Sequence, residues 1–197
     1  MRSPGGLSFP NGQESRVQRY VALLRAVNVG GTKRVGMAEL RGVLDEIGFR
    51  EPRTLLQSGN LVFGAPLKTA AEVERRLEGE FAARLGLSTD VLVRTAGDLD
   101  AVIAGNPFPG EAERDPAHLV VMFLRDSPNA TSVEVLQASI AGPERVRAAG
   151  CQSYVTYPAG IGDSRLTNAV LERALGTRGT ARNWNTVTKL AAAVRDR

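Results

Sequence analysis

A single cysteine, Cys151, and a single histidine, His118, are all that 197 residues hold of either type. One cysteine excludes an internal disulfide, and one of each leaves too few ligands for a cysteine- or histidine-built metal site. The expectation for metal is therefore none, and no motif names a cofactor. Aromatic residues make up only 5% of the chain, a poor supply for a sheet face that stacks nucleic-acid bases. No apolar run approaches the ~20 residues that span a bilayer, so no membrane partner is expected. The opening stretch, MRSPGGLSFPNGQESRVQ, lacks the apolar core of a secretory signal. It reads as a flexible extension over residues 1–18, and the expected location is cytoplasmic.

What remains is ordinary for a globular protein: 43% hydrophobic and 23% charged residues, in a chain long enough to bury a proper core. The net charge of +4 is unevenly placed. From Gly142 onward nine Lys or Arg face four Asp or Glu, a local excess of +5, which leaves −1 for everything before. Such asymmetry points either to an anionic partner or to a solvated, arginine-rich helix surface.

The pattern of apolar residues spells out a series twice. YVALLR is a short buried strand. MAELRGVLDEI places Met37, Leu40, Val43, Leu44 and Ile47 at helical spacing. RTLLQ and NLVFG are strands around a Ser58-Gly59 turn. Thr69 with Glu72 forms a capping box for a helix carrying Val73, Leu77 and Phe81, and DVLVRT closes the set. The order βαββαβ is the ferredoxin-like split motif. After a short helix, DLDAVIAG, the order returns. HLVVMFL is a strand; Thr131 with Glu134 caps a helix; ERVRAA and SYVTYP are strands; Ser164 opens a helix with Leu166, Val170, Leu171 and Leu175. RNWNTVTKLAAAV then forms a helix where a fourth strand is due, with room for a brief strand around 179–181. The expectation is an α+β chain of two tandem ferredoxin-like βαββα(β) units. The first spans 19–96; the second spans 97–197 and ends in the C-terminal helix.

In this topology the β1–α1 loop and the β2–β3 hairpin leave from one edge of the sheet. NVGGTKR at 28–34 supplies two glycines that let a ligand approach the backbone, followed by two cations. Its backbone N–H groups and Lys33 suit an anion nest, although the spacing is neither a Walker A loop nor G-x-G-x-x-G. The alternative is a sharp turn with its cations in water. QSGN at 57–60 is a good turn, but Gln57 is a polar end to an apolar strand. RNWNT offers a helix cap and a docking indole, or a guanidinium and amides that reach the same ligand. The candidate ligand-binding set is Asn28, Gly30, Gly31, Lys33, Gln57, Ser58, Asn60, Arg182, Asn183 and Trp184.

YVALLRAVNVGG, Met37 and Leu40, GF at 48–49, TLLQSGNLVF, NPF at 106–108, YPAGIGDSRLTN and RNWNTVTKL together resemble the bacterial family catalogued as domain of unknown function 1697. The resemblance runs from about Tyr20 to the last helix. It implies two related α+β units and brings no activity, substrate or catalytic residue. The functional residues above are therefore read from this chain alone.

Catalysis lacks a visible general base: none of the candidate motifs holds a carboxylate or a histidine. No nucleophile or acid is spaced to use His118, and Cys151 lacks an evident activating setting. Whether the chain is an enzyme stays open at this point, as does its oligomeric state. The reading is an uncharacterised bacterial protein that binds an anionic or nucleotide-like small molecule at the Gly-rich loop edge. A nucleic-acid-binding or protein-interaction module without catalysis is the alternative.

Overall fold

A computed structural model describes residues 17–25, 35–56, 59–66 and 68–196. Two runs, 20–24 and 119–124, are apolar at every position because both faces of their strands are covered. In β1 (Val17–Leu24), Tyr20, Ala22 and Leu24 face one core while Val21 and Leu23 face another. In β5 (Leu119–Leu124), Val120, Met122 and Leu124 point one way and Leu119, Val121 and Phe123 the other. A strand buried on both faces reads as a continuous apolar run rather than an alternating one.

Each of these strands is central in an antiparallel four-stranded sheet. The first sheet has the order β2-β3-β1-β4, with β2 (Arg50–Thr54), β3 (Asn60–Pro66) and β4 (Val91–Thr95). The second has the order β6-β7-β5-β8, with β6 (Arg145–Ala149), β7 (Gln152–Thr156) and β8 (Gly179–Asn183). Seven helices complete the described residues, giving an α+β chain. On the first sheet, α1 (Met37–Glu46) and α2 (Ala70–Leu85) bury Leu40, Leu44, Leu77 and Phe81 against its outer face. On the second, α5 (Ala130–Ser139) and α6 (Asn168–Leu175) do the same with Leu136, Leu171 and Leu175. The inner faces share a middle core with α3 (Ala96–Ala104), the short α4 (Pro109–Arg114) and α7 (Trp184–Ala193). Val21, Val62 and Leu92 from the first sheet meet Val121, Phe123 and Tyr154 from the second in that core, along with Trp184 and Leu190.

Local signals set most boundaries. Thr69 caps α2 and Glu72 reaches back to its N–H, while Gly86 ends the helix at φ 63°. Four elements differ from the sequence expectation. The strand expected over RTLLQ lies earlier, at Arg50–Thr54; Pro52 is tolerated there because β2 is an edge strand. Helix α5 is capped by Asn129 rather than Thr131, and α6 starts at Asn168 behind Thr167, leaving Ser164 and Leu166 in the preceding loop. The second sheet also has a full fourth strand, β8, and the C-terminal helix follows it.

Candidate functional site

The described ends of the two candidate loops are neighbours. Leu24 N donates to Gly59 O at 2.9 Å, and Leu23 pairs with Asn60 in the β1–β3 ladder. The segment 26–34 leaves after Arg25, and 57–58 ends at Gly59. Asn28, Gly30, Gly31, Lys33, Gln57 and Ser58 lie outside the described residues. Asn60 is fully buried and its Nδ2 donates to Leu55 O at 2.9 Å.

Arg182 arrives at this edge from the second sheet. Its position opposite Val121 in the β5–β8 ladder directs it to the inner side, and only 8% of it is exposed. Nε donates to Asn60 Oδ1 at 2.6 Å, Nη1 to Thr180 Oγ1 and Ala181 O at 2.8 Å, and Nη2 to Leu24 O at 3.2 Å and Gly59 O at 3.4 Å. Burial pushes its pKa down to about 10, which still leaves it cationic at neutral pH. Asn183 caps α7, its Oδ1 accepting from Thr186 N at 3.0 Å and Thr186 Oγ1 at 2.8 Å. Trp184 packs in the middle core. Of the candidate set, then, the structure joins Asn60 to Arg182 directly and places Asn183 and Trp184 next to them in the chain.

The contact is returned in the other direction. Arg94 stands opposite Val21 in the β1–β4 ladder, as Arg182 stands opposite Val121. Its Nη2 donates to Leu124 O at 2.7 Å and Cys151 O at 3.5 Å, and Leu124 N donates to Cys151 O at 2.9 Å. Desolvation lowers the Arg94 pKa, and its guanidinium lies over the Phe123 ring, 5.7 Å from the centroid. The edge strands β4 and β8 thus each send an arginine across to the end of a central strand in the other sheet. Contacts that are returned between equivalent positions are those of an approximate two-fold relation.

Charged pairs line the seam in the same reciprocal way. Arg25 grips Glu172 of α6 with Nε and Nη2, at 2.6 and 2.7 Å, while Arg125 bonds to Glu78 of α2. Glu78 also accepts from Val91 N at 3.0 Å, and Glu172 from Gly179 N at 2.9 Å. Between the two pairs Arg178 meets Asp90 at 3.2 and 3.3 Å, and Arg25 and Arg125 approach the same carboxylate at 3.8 and 3.9 Å. The hydrogen bonds from Arg25 hold Glu172 below the usual carboxylate range. Two open cavities of about 600 and 370 Å³ flank this row and share Asp90 and Arg178 as walls.

The excess positive charge after Gly142 finds acids earlier in the chain: Arg145 pairs with Glu111, Arg178 with Asp90 and Arg195 with Asp100. Two of the edge strands, β4 and β6, are likewise occupied from within. Val91, Val93 and Thr95 in β4 donate their N–H groups to Glu78, Glu74 and Asp98, and Val146 in β6 donates to Gln137. Capped edges of this kind resist pairing with another chain. His118, bonded to Asp115 at 2.7 Å, precedes β5 and so lies at the end of the sheet opposite Arg125. Among the described residues no group of three or more His, Cys, Asp or Glu could hold a metal ion, and no helix is long and apolar enough to cross a membrane. The seam arginines were missed by motif reading. The signal that could have found Arg25 and Arg125 is the internal repeat, since each follows the same kind of apolar strand.

The family described as "Protein of unknown function (DUF1697)" matches residues 17–154. The match ends before the YPAGIGDSRLTN and RNWNT segments. No curated protein matches the chain. Among solved structures, the conserved bacterial protein SP0830 from Streptococcus pneumoniae is 22% identical. It superimposes with a TM-score of 0.73 over 91% of this chain and 100% of that one. At that identity the likeness is one of fold.

Proposed function

This chain belongs to the DUF1697 family, whose description assigns no activity, and we propose from its own geometry that it binds an anionic or nucleotide-like small molecule where β1 ends and β3 begins. We also read it as two tandem ferredoxin-like units, meeting near Gly97, that pack through their inner faces. In this reading Asn28, Gly30, Gly31, Lys33, Gln57 and Ser58 face the ligand. Asn60 and Arg182 hold the loop ends from beneath, and Asn183 and Trp184 fix the strand–helix corner that carries Arg182. One observation supports it above the others. Leu24 O, Gly59 O and the Asn60 side chain all receive the same buried guanidinium from the second sheet, so the two loops start from a rigid common base. Preorganised ends lower the ordering cost of binding.

Binding is favoured over chemistry because the seam carboxylates Glu78, Asp90 and Glu172 are engaged by arginines, which leaves them poor general bases. The test is a thermal-shift panel of phosphorylated metabolites, nucleotides and short oligonucleotides at low and high salt. A ligand at about 100 times its dissociation constant stabilises by roughly 2.7 kcal/mol, or about 5–10 °C for a chain of this size. The expected result is a salt-resistant shift with one small anion that Gly31→Val abolishes while leaving the unliganded melting point near wild type. A flat panel, or a shift only with oligonucleotides that fades with salt, overturns the reading.

A further inference from the structure

The two halves serve as controls for one another, and one connection differs sharply. In the first half, three residues (67–69) join β3 to α2. In the second, eleven residues (157–167) join β7 to α6, although these elements occupy the same places in the order. Connections of ~4–6 residues are usual, and longer ones tend to carry function. The eleven residues are the YPAGIGDSRLT stretch, which the loop edge at β1 and β3 does not use.

This excursion is fastened rather than loose. Tyr157 Oη donates to Leu166 O at 2.9 Å, Leu166 N donates to Ser164 Oγ at 3.1 Å, and Ser164 Oγ donates to Glu144. Between it and the C-terminal end of α5 lies a cavity of about 510 Å³. Leu136, Ile140, Leu166 and Val170 supply apolar walls, and Glu144, Asp163 and Arg165 supply its charged groups. An apolar cleft of this size with a few polar groups has the make-up of a small-molecule site.

We propose that this cavity is a binding site for a small zwitterion with an apolar side chain, of the α-amino-acid type. Glu144 and Asp163 receive the ammonium group, Arg165 receives the carboxylate, and the side chain lies against Leu136, Ile140 and Val170. Two carboxylates and one guanidinium around an apolar pocket complement such a molecule at both of its charges. A simple fatty acid would face two like charges, and a simple amine would leave Arg165 unused. The proposal stands independently of the loop edge at β1 and β3.

Methyl NMR titration of the full chain tests it with three probes: leucine, the amine that lacks its carboxylate, and the acid that lacks its amine. Leucine is expected to shift the methyl signals of Leu136, Ile140, Leu166 and Val170 saturably, with the other two probes at least about tenfold weaker. Asp163→Asn and Arg165→Gln change exposed side chains and are expected to weaken leucine about tenfold each while leaving methyl signals of the first sheet in place. Silence at these four residues up to tens of millimolar leucine overturns the site. Equal binding of the amine or the acid overturns the zwitterion assignment, and shifts that survive both substitutions overturn the named contacts. Phosphorylated ligands that act at the loop edge leave these methyl groups unmoved, so the two readings fail separately.

Discussion

Arg178 and Arg182 are four residues apart and are expected to respond oppositely to truncation. Arg182→Ala removes the donors to Asn60 Oδ1, Leu24 O and Gly59 O in a site from which water is excluded. Losing a charged donor that bonds all three of these buried acceptors makes a cost of roughly 2–4 kcal/mol expected, measurable as a lower urea midpoint. Arg182→Lys recovers only part of it, because an ammonium cannot span three acceptors in a planar fork. Arg178 has a side chain 68% exposed beside Asp90, and Arg178→Ala is expected to stay within about 0.5 kcal/mol of wild type. Equal losses for the two would remove the distinction between a buried tie and a surface pair. Sequence alone placed Asn60, from the QSGN hairpin, and Arg182, from RNWNT, in one candidate set. It could not pair them, because 122 positions separate them and only the packing of one sheet on the other closes that distance.

Glycines show how elements constrain substitution. A Cβ on Gly179 would stand 2.6 Å from Phe123 O and 3.0 Å from Leu124 Cδ2, so β8 pairs with β5 only because that position carries no side chain. Gly179→Ala is expected to cost roughly 1–3 kcal/mol by forcing the strands apart. Gly42 in α1 and Gly79 in α2 have nothing within 4 Å of the added carbon. Alanine there is expected to stabilise by about 0.5–1 kcal/mol each, since it removes unfolded-state freedom at a helical position. Chemical denaturation of the three variants checks the sign as well as the size. Helices and central strands were legible because their apolar spacing depends on a single buried face or on two. The misplaced boundaries share a different cause. Ser164 and Thr131 are competent caps passed over for Thr167 and Asn129, and Leu55-Leu56 continue the apolar pattern after β2 has ended. In each case two comparable local signals lie within a few residues of one another, and spacing alone does not choose between them.

At the scale of the whole molecule, the middle core joins the inner faces of the two sheets. Trp184, the single tryptophan, sits in that core with Val21 and Leu92 from the first sheet and Phe123 and Leu190 from the second half. Its fluorescence and the far-UV circular dichroism are therefore expected to change at one common midpoint; an early dichroism step without a tryptophan change would show that the halves unfold separately. The seam adds a pH dependence whose sign follows from the Arg25–Glu172 pair. Glu172 titrates below its ordinary value in the folded chain, so its contribution is complete above the unfolded carboxylate value of about 4.3 and is lost as pH falls through the lowered folded one. Glu74 works against this. Burial raises its pKa, so its own contribution is present at low pH and lost as pH rises through that raised value. Because Arg25 and Gly179 N both hold the Glu172 carboxylate, removing its charge is expected to flatten the acid limb of the stability curve. The measurement is urea stability of wild type and Glu172→Gln from pH 7 to pH 3. Curves that converge as pH falls below about 4 would place acid sensitivity at the seam. Parallel curves would mean that Glu172 has the same affinity for protons folded and unfolded, and would remove this pair as a source of acid sensitivity.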